Sequence, residues 1–307
     1  MMNAKEMSRE TIAILGIGKV GRAIGLLLRS AGYNIAAIAS RSPASINQGI
    51  AYTGGIPYTD FSEAASQAEC IFITTSDDAI ASVCEKITRG GSIKPGKKVI
   101  HISGAGGLSL LEEARRSGAH TACIHPLQSF ADVEGAIKNI PGSTFGITSD
   151  DEIKQWCVQV VYDLGGNPFF ISDAEKPLYH AAACIASNYL TTLVHMVQTI
   201  YQSLGLNRDD AMHAFWPLVK GTVRNIEDKG TVHALTGPIA RGDMGTLKKH
   251  IEALHNKVPA LLNAYRVLGI LTTEIGVEKK TLSPQDAERM RKLLEGGLQY
   301  EHTGEHE

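Results

Sequence analysis

The sequence predicts an α/β fold: a doubly wound parallel sheet in the N-terminal part, followed by an all-α C-terminal domain. Two observations lead to this prediction. From residue 11 to about 172, short apolar runs rich in β-branched residues alternate with amphipathic stretches. From residue 173 onward no run has the character of a strand, and helical periodicity continues to the C-terminus. We therefore predict two domains, residues 1–172 and 173–307, with a boundary near residues 170–173.

The strands of the first domain are predicted from runs that are apolar throughout, namely "TIAIL", "IAAIA", "CIFIT", "KVIHIS", "TACIH" and "STFGIT". Such runs suit strands that are covered on both faces. Between them lie the amphipathic segments Val20–Ala31, Phe61–Gln67, Asp78–Ile87 and Ser109–Ser117. Alternation of this kind favours a parallel sheet with helices on each side.

The second domain is predicted to contain helices over residues 174–204, 208–228, 243–254, 257–275 and 284–298. The segment "LGLNRDD" forms a turn, after which Asp209 or Asp210 can cap the next helix. In "TLSPQDAERM", Ser283 is the predicted N-cap and Pro284 the first helical residue.

The composition indicates a soluble globular protein, with 43% hydrophobic and 20% charged residues. The net charge is -2, from 30 basic and 32 acidic residues, so no overall field attracts nucleic acid or an anionic membrane. Polar residues interrupt the apolar stretch around Ile185–Ile200, which therefore suits a buried helix better than a membrane span.

The N-terminus and the cysteines bear on the cellular compartment. The segment "MMNAKEMSRE" has no apolar core followed by a cleavage site, so we expect no secretion signal and a cytoplasmic protein. The five cysteines are scattered and have no CxxC spacing, so we expect reduced thiols, no disulfide framework and no metal site.

A glycine-rich motif, "GIGKVG", lies at the first strand–helix junction. Gly16 permits the tight turn, Gly18 lets a pyrophosphate approach the backbone, and Gly21 lets the helix pack on the strand. The N-terminus of the helix supplies unpaired N–H groups to the phosphates. The sequence therefore predicts a dinucleotide site formed by Gly16, Ile17, Gly18, Lys19, Val20 and Gly21.

The second strand is followed by Ser40, Arg41 and Ser42, where an NAD-binding domain would carry an acidic residue for the ribose 2′-hydroxyl. A carboxylate there would repel a 2′-phosphate, whereas the arginine fork matches it and the two hydroxyls can donate beside it. We predict NADP(H) as the cofactor; the alternative is an ordinary surface arginine.

Two further strand ends are predicted to contact the cofactor. The segment "TTSDDAI" contributes Thr75, Ser76 and Asp77, and "HISGAGG" contributes Ser103 and Gly104. Their small residues leave room for a nicotinamide ring at the carboxyl ends of the strands. Ser76 and Asp77 contact the nicotinamide ribose in one interpretation; in the other, Asp77 and Asp78 cap the following helix.

A histidine in "CIHPLQSF" is the first candidate for the chemistry. His125 lies at the carboxyl end of a strand, so it faces the predicted crevice and can donate to a substrate carbonyl or carboxylate. The alternative is a core histidine that bonds to the backbone.

The helix that opens the second domain, "EKPLYHAAACIASNYLTT", carries the second group of candidates. At 3.6 residues per turn, Lys176, His180, Ser187 and Thr191 share one face, with Asn188 at its edge. A polar stripe on a buried helix is costly unless it is satisfied or used. We expect His180, and after it Lys176, to transfer the proton, with Asn188 and Ser187 orienting the substrate; the alternative is an internal hydrogen-bond network.

A third motif, "ALTGPIARGD", contains a predicted tight turn at Thr236, Gly237 and Pro238. Arg241 can bind an anionic group, and Asp243 can instead be a plain N-cap.

Six motifs together resemble a known group: "GIGKVG", "ASRS", "HISGAGG", "IHPLQSF", "YHAAACIASNYL" and "ALTGPIARGD". The chain resembles the Rossmann-like oxidoreductases with a helical C-terminal domain of unknown function, in the superfamily of pyrroline-5-carboxylate reductase, ketopantoate reductase and 6-phosphogluconate dehydrogenase. The resemblance implies an NADP-binding domain followed by helices that often form a dimer interface. Some relatives use as catalytic residues a lysine and an asparagine four residues after it. Here His180 follows Lys176 at that spacing, and Asn188 comes later.

We therefore expect an NADP(H)-dependent oxidoreductase that reduces a small carbonyl or imine compound, or oxidises the corresponding alcohol or amine. The substrate would lie between His125, Ser103 and the helix that carries His180. The alternatives are a non-catalytic NADP(H)-binding sensor and a protein that works with a flavin or deazaflavin. Apolar helix faces, among them Ala211–Val219 and Val258–Leu268, predict a homodimer through the helical domain.

Overall fold

The computed structural model describes residues 9–296, and the chain divides into two compact units, residues 1–188 and 189–307. The predicted fold class is confirmed: a mostly parallel sheet with covering helices is followed by helices alone. The last strand ends at Phe170, and the described residues beyond it contain no strand. The first helix after the sheet, Lys176–Cys184, belongs to the first unit, and the domain boundary near residues 170–173 stays a prediction.

Eight strands form one sheet, in the spatial order β3-β2-β1-β4-β5-β6-β7-β8. Their bounds are β1 Thr11–Leu15, β2 Asn34–Ala39, β3 Ile56–Tyr58, β4 Cys70–Ile73, β5 Lys98–His101, β6 His120–Pro126, β7 Thr144–Ser149 and β8 Asn167–Phe170. All neighbouring pairs are parallel except β6 and β7, which run antiparallel. This one pair departs from the predicted parallel arrangement, because a run buried on both faces has the same apolar pattern in either strand direction.

Helices cover both faces of the sheet. They are α1 Lys19–Ser30, α2 Pro43–Thr53, α3 Phe61–Ser66, α4 Asp77–Arg89, α5 Glu112–Arg116, α6 Val133–Asn139 and α7 Lys154–Asp163; α8 Lys176–Cys184 follows the last strand. Alternate residues of β1 belong to different apolar clusters: Ile12 and Ile14 to one, Ala13 and Leu15 to the other. Since successive side chains of a strand point to opposite faces, the sheet has a core on each side.

Five elements of this unit have no counterpart in the predicted pattern: α2, β3, α6, α7 and β8. Three of them are too short to show a period, since β3 has three residues, β8 has four and α6 has seven. In addition, β3 contains Pro57 and is largely exposed, so it lacks the apolar run that identifies a central strand.

The second unit consists of α9 Leu190–Ser203, α10 Arg208–Ala234, α11 Met244–Lys257, α12 Leu262–Glu278 and α13 Pro284–Glu295. The predicted helices are confirmed within the described residues, except that the one predicted over 174–204 is interrupted after Cys184; positions 297 and 298 of the last predicted helix lie outside the described residues. Ser283 caps α13, with Pro284 as its first residue. The cap of α10 is Asn207, whose side chain accepts from the Asp210 N–H; the prediction of Asp209 or Asp210 is wrong, since both lie inside the first turn. Asp243 caps α11.

A π-helical turn, Ile185–Tyr189, separates α8 from α9. Its i→i+5 bonding widens the turn, so the angular spacing of a regular α-helix does not continue past Ile185. The predicted single stripe from Lys176 and His180 to Ser187 and Thr191 assumed 3.6 residues per turn throughout, and it stays a prediction.

Three properties of residues 9–296 concern the membrane, metals and disulfides. None of the described helices combines the length and apolarity that crossing a bilayer requires. In the same range, no group of three or more histidine, cysteine or acidic side chains is arranged to hold a metal ion. The five cysteines, all in the described range, are free thiols.

Candidate active site

The glycine-rich loop joins β1 to α1 in the conformation that the motif predicts. Gly16 has φ +108°, and a Cβ atom there would lie 2.7 Å from the backbone nitrogen of Thr75. A Cβ atom on Gly21 would overlap the carbonyl oxygen of Gly16, whereas one on Gly18 would meet nothing within 4 Å. The first and third glycines are thus required by packing, and the second leaves the outer face of the loop open to a ligand.

The first turn of α1 presents an anion-binding surface. Its N-cap, Gly18, supplies no side-chain hydrogen bond, and the turn has no acidic residue. The first N–H groups therefore lack helical partners and carry the positive end of the helix dipole. Lys19 is directed elsewhere, since its Nζ donates to the Ala131 carbonyl at 2.6 Å.

A cleft of about 500 Å³ extends along the carboxyl ends of β1, β2 and β4. Predicted residues that line it are Gly16, Ile17, Gly18, Ser40, Arg41, Thr75 and Ser76. Further residues line it that were not among the predicted site residues, namely Ser45, Thr59, Phe61, Thr74, Ala79, Ser82, Val83 and Lys86. Thr75 Oγ1 is buried and has no hydrogen-bond partner in the described structure, which suits a polar group reserved for a ligand.

The residues of the Ser40–Ser42 segment have different roles: one caps a helix and the others line the cleft. The Ser42 hydroxyl accepts from the Ser45 N–H and caps α2, so it serves the fold. Arg41 is exposed at the cleft and makes no ion pair within residues 9–296. Lys86 also lines the cleft, but its Nζ lies 2.7 Å from the Asp60 carboxylate. Of these two cleft residues, Arg41 is therefore the one whose charge is available to bind a phosphate.

The loop after β5 is fixed by two internal networks. The Ser103 hydroxyl donates to Asp77 at 2.8 Å and accepts from the Gly106 N–H at 2.9 Å. Asp77 therefore ties the loop to α4, and the N-cap of α4 is Ser76. His101 Nδ1 accepts from the Ser103 N–H, which leaves Nε2 to donate to the Gly107 carbonyl. Burial lowers the pKa of His101 to about 4, consistent with this neutral tautomer.

Two histidines converge on Gly104. The rings of His125, at the end of β6, and His180, on α8, have centroids 6.2 Å apart. A Cβ atom on Gly104 would lie 2.5 Å from His180 Nδ1 and 2.8 Å from His125 Nε2, so only glycine leaves room here. His180 Nδ1 is buried and has no hydrogen-bond partner in the part of the chain that the structure describes.

Tyr179 completes this group, although it was not among the predicted site residues. Its hydroxyl lies 3.0 Å from His125 Nδ1. Burial raises the pKa of Tyr179 to about 12, so the phenol stays protonated and can donate to Nδ1. Burial, and after it the charges of Lys176 and His180, lower the pKa of His125 to about 4. His125 is then neutral, with its hydrogen on Nε2 beside Gly104 and His180.

Lys176 lies beneath the same loop and is 1% exposed. Its Nζ donates to the Ser103 carbonyl at 3.3 Å and to Cys123 Sγ at 3.0 Å. The Cys123 thiol donates to the same carbonyl, and burial raises its pKa to about 11. The structure thus brings Lys176, Ser103 and the two histidines together, whereas Ser187 and Asn188 lie in the exposed π-helical turn.

The two buried histidines predict a loss of stability in acid. An unfolded histidine has a pKa of 6.5, and His101 and His125 have values of about 4 in the folded protein. Over this range the unfolded chain binds more protons, so the free energy of unfolding falls as the pH falls, by up to about 1.4 kcal/mol per pH unit for each histidine. Acidic residues also titrate in this range, so the contribution of His125 is measured by comparison with a variant. His125→Gln should reduce the slope of the free energy of unfolding against pH relative to the parent.

This comparison is made by urea titration between about pH 4 and 6.5, the interval set by the two pKa values. A Trp216→Phe background leaves Trp156 of the sheet unit as the tryptophan probe. The exposed His213→Gln is the matched control and should keep the parent slope. Equal slopes for all three proteins would show that His125 does not have the lowered pKa.

Comparison with known proteins agrees with this architecture. Residues 3–126 match the model of the Rossmann-like domain, and residues 143–272 match the domain of unknown function DUF2520. No curated protein sequence matches the chain significantly.

Three solved structures illustrate the shared fold. A proposed NADP oxidoreductase from Bacteroides fragilis has a TM-score of 0.71 and 19% identity, with 87% of this chain and 99% of that one covered. A protein from Thermotoga maritima has a TM-score of 0.68 and 24% identity, with 88% and 99% covered. The pyrroline carboxylate reductase of Plasmodium falciparum with NADP bound has a TM-score of 0.58 and 15% identity, with 94% and 99% covered. Residues 3–126 therefore carry a Rossmann-like domain and residues 143–272 the DUF2520 domain, which confirms these two parts of the resemblance seen in the motifs.

Proposed function

We propose that the protein is an NADP(H)-dependent oxidoreductase that reduces a small carbonyl or imine compound, or oxidises the corresponding alcohol or amine. The observation that carries the proposal is the convergence of His125 Nε2 and His180 Nδ1 on Gly104. This point is linked to the dinucleotide cleft through the Ser103–Asp77 hydrogen bond, since Asp77 follows the cleft residue Ser76 directly. The proposed dinucleotide cleft and the two histidines are therefore adjacent within the first unit.

The residues of the cleft fit an NADP(H) molecule. The N–H groups of the first turn of α1 would hold the diphosphate, and Gly18 leaves it access to the backbone. Arg41, with Ser40 beside it, would hold the 2′-phosphate. When bound, the cofactor supplies or accepts the hydride at C4 of its nicotinamide.

The chain itself supplies orientation and a proton. His180 Nδ1, which the described fold leaves without a partner, would donate to the oxygen or nitrogen of the substrate double bond. His125, neutral and held by Tyr179, would donate a second hydrogen bond and fix the orientation of that atom. Lys176 would donate a hydrogen bond to the Ser103 carbonyl and so keep the loop after β5 in place.

Two of the similar structures support this assignment at the level of reaction class. One is described as a proposed NADP oxidoreductase and another holds bound NADP. Neither indicates which compound the present chain reduces. We therefore test the proposal with a panel of small keto acids and cyclic imines, following the loss of NADPH absorbance. Turnover of any member supports the proposal; tight NADPH binding without turnover across the panel favours the alternative, a cofactor-binding sensor.

We further propose that a second copy of the chain covers the helical unit. Its helices expose large apolar side chains, of which Leu218 is 72% and Leu204 65% exposed. Others are Leu190, Leu193, Val223, Ile226, Val267, Leu268 and Leu271. So many exposed apolar side chains on one unit are typical of an obligate interface.

Light scattering should therefore report about twice the chain mass of 32.9 kDa. Leu218→Glu should shift the particle towards the monomer, because a buried charge without a partner opposes association. Lys292→Glu, on the exposed face of α13, is the control and should leave the mass unchanged. A parent protein that is monomeric at micromolar concentration would refute the dimer.

A further inference from the structure

A second cavity lies wholly within the helical unit, between α11, α12 and α13. It has a volume of about 260 Å³ and is separate from the dinucleotide cleft. Its lining combines three basic side chains, one carboxylate and three apolar side chains: Lys248, His255, Arg266, Glu252, Ile251, Leu262 and Leu293.

Arg266 is the unusual member of this lining. The residue is 8% exposed, and its Nε is buried without a hydrogen-bond partner. Within residues 9–296 its guanidinium forms no ion pair, although Glu252 lines the same cavity. A guanidinium keeps its charge in proteins, and burying an unpaired charge is costly. An arginine in this position is therefore expected to have a partner that is not part of the described fold.

The surroundings of Arg266 define the chemistry of that partner. Lys248 and His255 are seven residues apart on α11, so they lie on one face of the helix and both reach the cavity. Together with Arg266 they favour an oxyanion, and an arginine fork binds carboxylate or phosphate through two parallel hydrogen bonds. The apolar side chains of Ile251, Leu262 and Leu293 favour a hydrocarbon group attached to it.

We propose that this cavity binds a small organic anion, a carboxylate or phosphate group on a short apolar stem. Arg266 would hold the anionic group, Lys248 would pair with it at the rim, and the apolar lining would bury the stem. The site belongs to the helical unit alone, so it stands independently of the function proposed for the sheet unit.

The test is isothermal titration of the full chain with hexanoate, hexyl phosphate and inorganic phosphate, with hexanol as the neutral probe. Hexanoate or hexyl phosphate should bind more tightly than hexanol by about tenfold or more, and the stronger of the two identifies the anionic group. Arg266→Met should weaken the stronger ligand by about tenfold or more. Arg289→Met removes an exposed arginine of α13 and is the matched control, with unchanged affinity expected.

Lys248→Met, at an exposed position, gives a second variant that should weaken binding even if Arg266→Met fails to fold. Three outcomes would overturn the proposal: equal binding of hexanol and hexanoate, unchanged affinity in both variants, or binding of inorganic phosphate alone. An Arg266→Met protein that changes the particle mass but binds hexanoate as the parent does would assign the cavity to a subunit interface and also overturn it.

Discussion

Replacing His180 by alanine is expected to lower turnover by roughly 10²- to 10⁴-fold while NADPH binding stays nearly unchanged. The expectation follows from the position of His180 Nδ1, which is buried, unpartnered in the described fold and directed at Gly104 beside His125. A proton donor that acts only in the transition state affects the rate far more than the ground-state affinity. Steady-state rates with the best substrate of the panel, together with NADPH titration, measure both quantities.

A histidine–tyrosine pair in the helical unit provides the matched control. His250 Nδ1 lies 2.9 Å from the Tyr265 hydroxyl, with ring centroids 6.0 Å apart, much as His125 meets Tyr179. His250→Ala should leave turnover and cofactor affinity close to those of the parent. If His180 is only a core histidine, His180→Ala should instead lower the melting temperature and weaken cofactor and substrate together.

A cofactor-bound structure tests the same role by geometry. A proton donor must come within hydrogen-bond distance of the reacting group, so a ring more than about 8 Å from the nicotinamide C4, with no space for a substrate between, cannot take part. The role would then pass to His125.

Arg41→Asp is expected to reverse the cofactor preference. In the parent, guanidinium–phosphate hydrogen bonds should favour NADPH over NADH by roughly 1.5 to 3 kcal/mol, about tenfold or more. Aspartate would repel the 2′-phosphate and accept hydrogen bonds from the 2′-hydroxyl of NADH. Titration of both cofactors against both proteins gives the ratio directly.

Arg29→Asp controls for the change in net charge, because Arg29 is also exposed on the sheet unit but does not line the cleft. It should keep the parent preference. Equal affinity of the parent for NADH and NADPH would contradict the assignment of Arg41.

The parts of the fold that sequence could predict are those with a strong local signal. The central strands β1, β4 and β5 are buried on both faces, so each is an apolar run that stands out from its neighbours. The glycine loop was predictable because the required conformation at Gly16 and the packing at Gly21 each restrict the residue type.

The parts that sequence could not predict depend on contacts between distant segments. Tyr179 belongs to the site only because β6 brings His125 to it, 54 residues away along the chain. The residues of the cleft from α3 and α4, such as Phe61 and Val83, are apolar positions that also suit an ordinary core. The π-helical turn after Cys184 left no compositional signal, so the angular argument for Ser187 and Asn188 could not anticipate it.

The central claim is that hydride passes between the cofactor and a small substrate at the site beside Gly104. The most direct measurement uses NADPH that carries deuterium at both C4 positions, with mass spectrometry of the product of the best panel compound. Transfer to carbon should make the product one mass unit heavier than that from unlabelled NADPH, and His180→Ala should slow its appearance without changing the label. NADPH that binds but transfers deuterium to no compound of the panel would contradict the account and favour a cofactor-binding sensor.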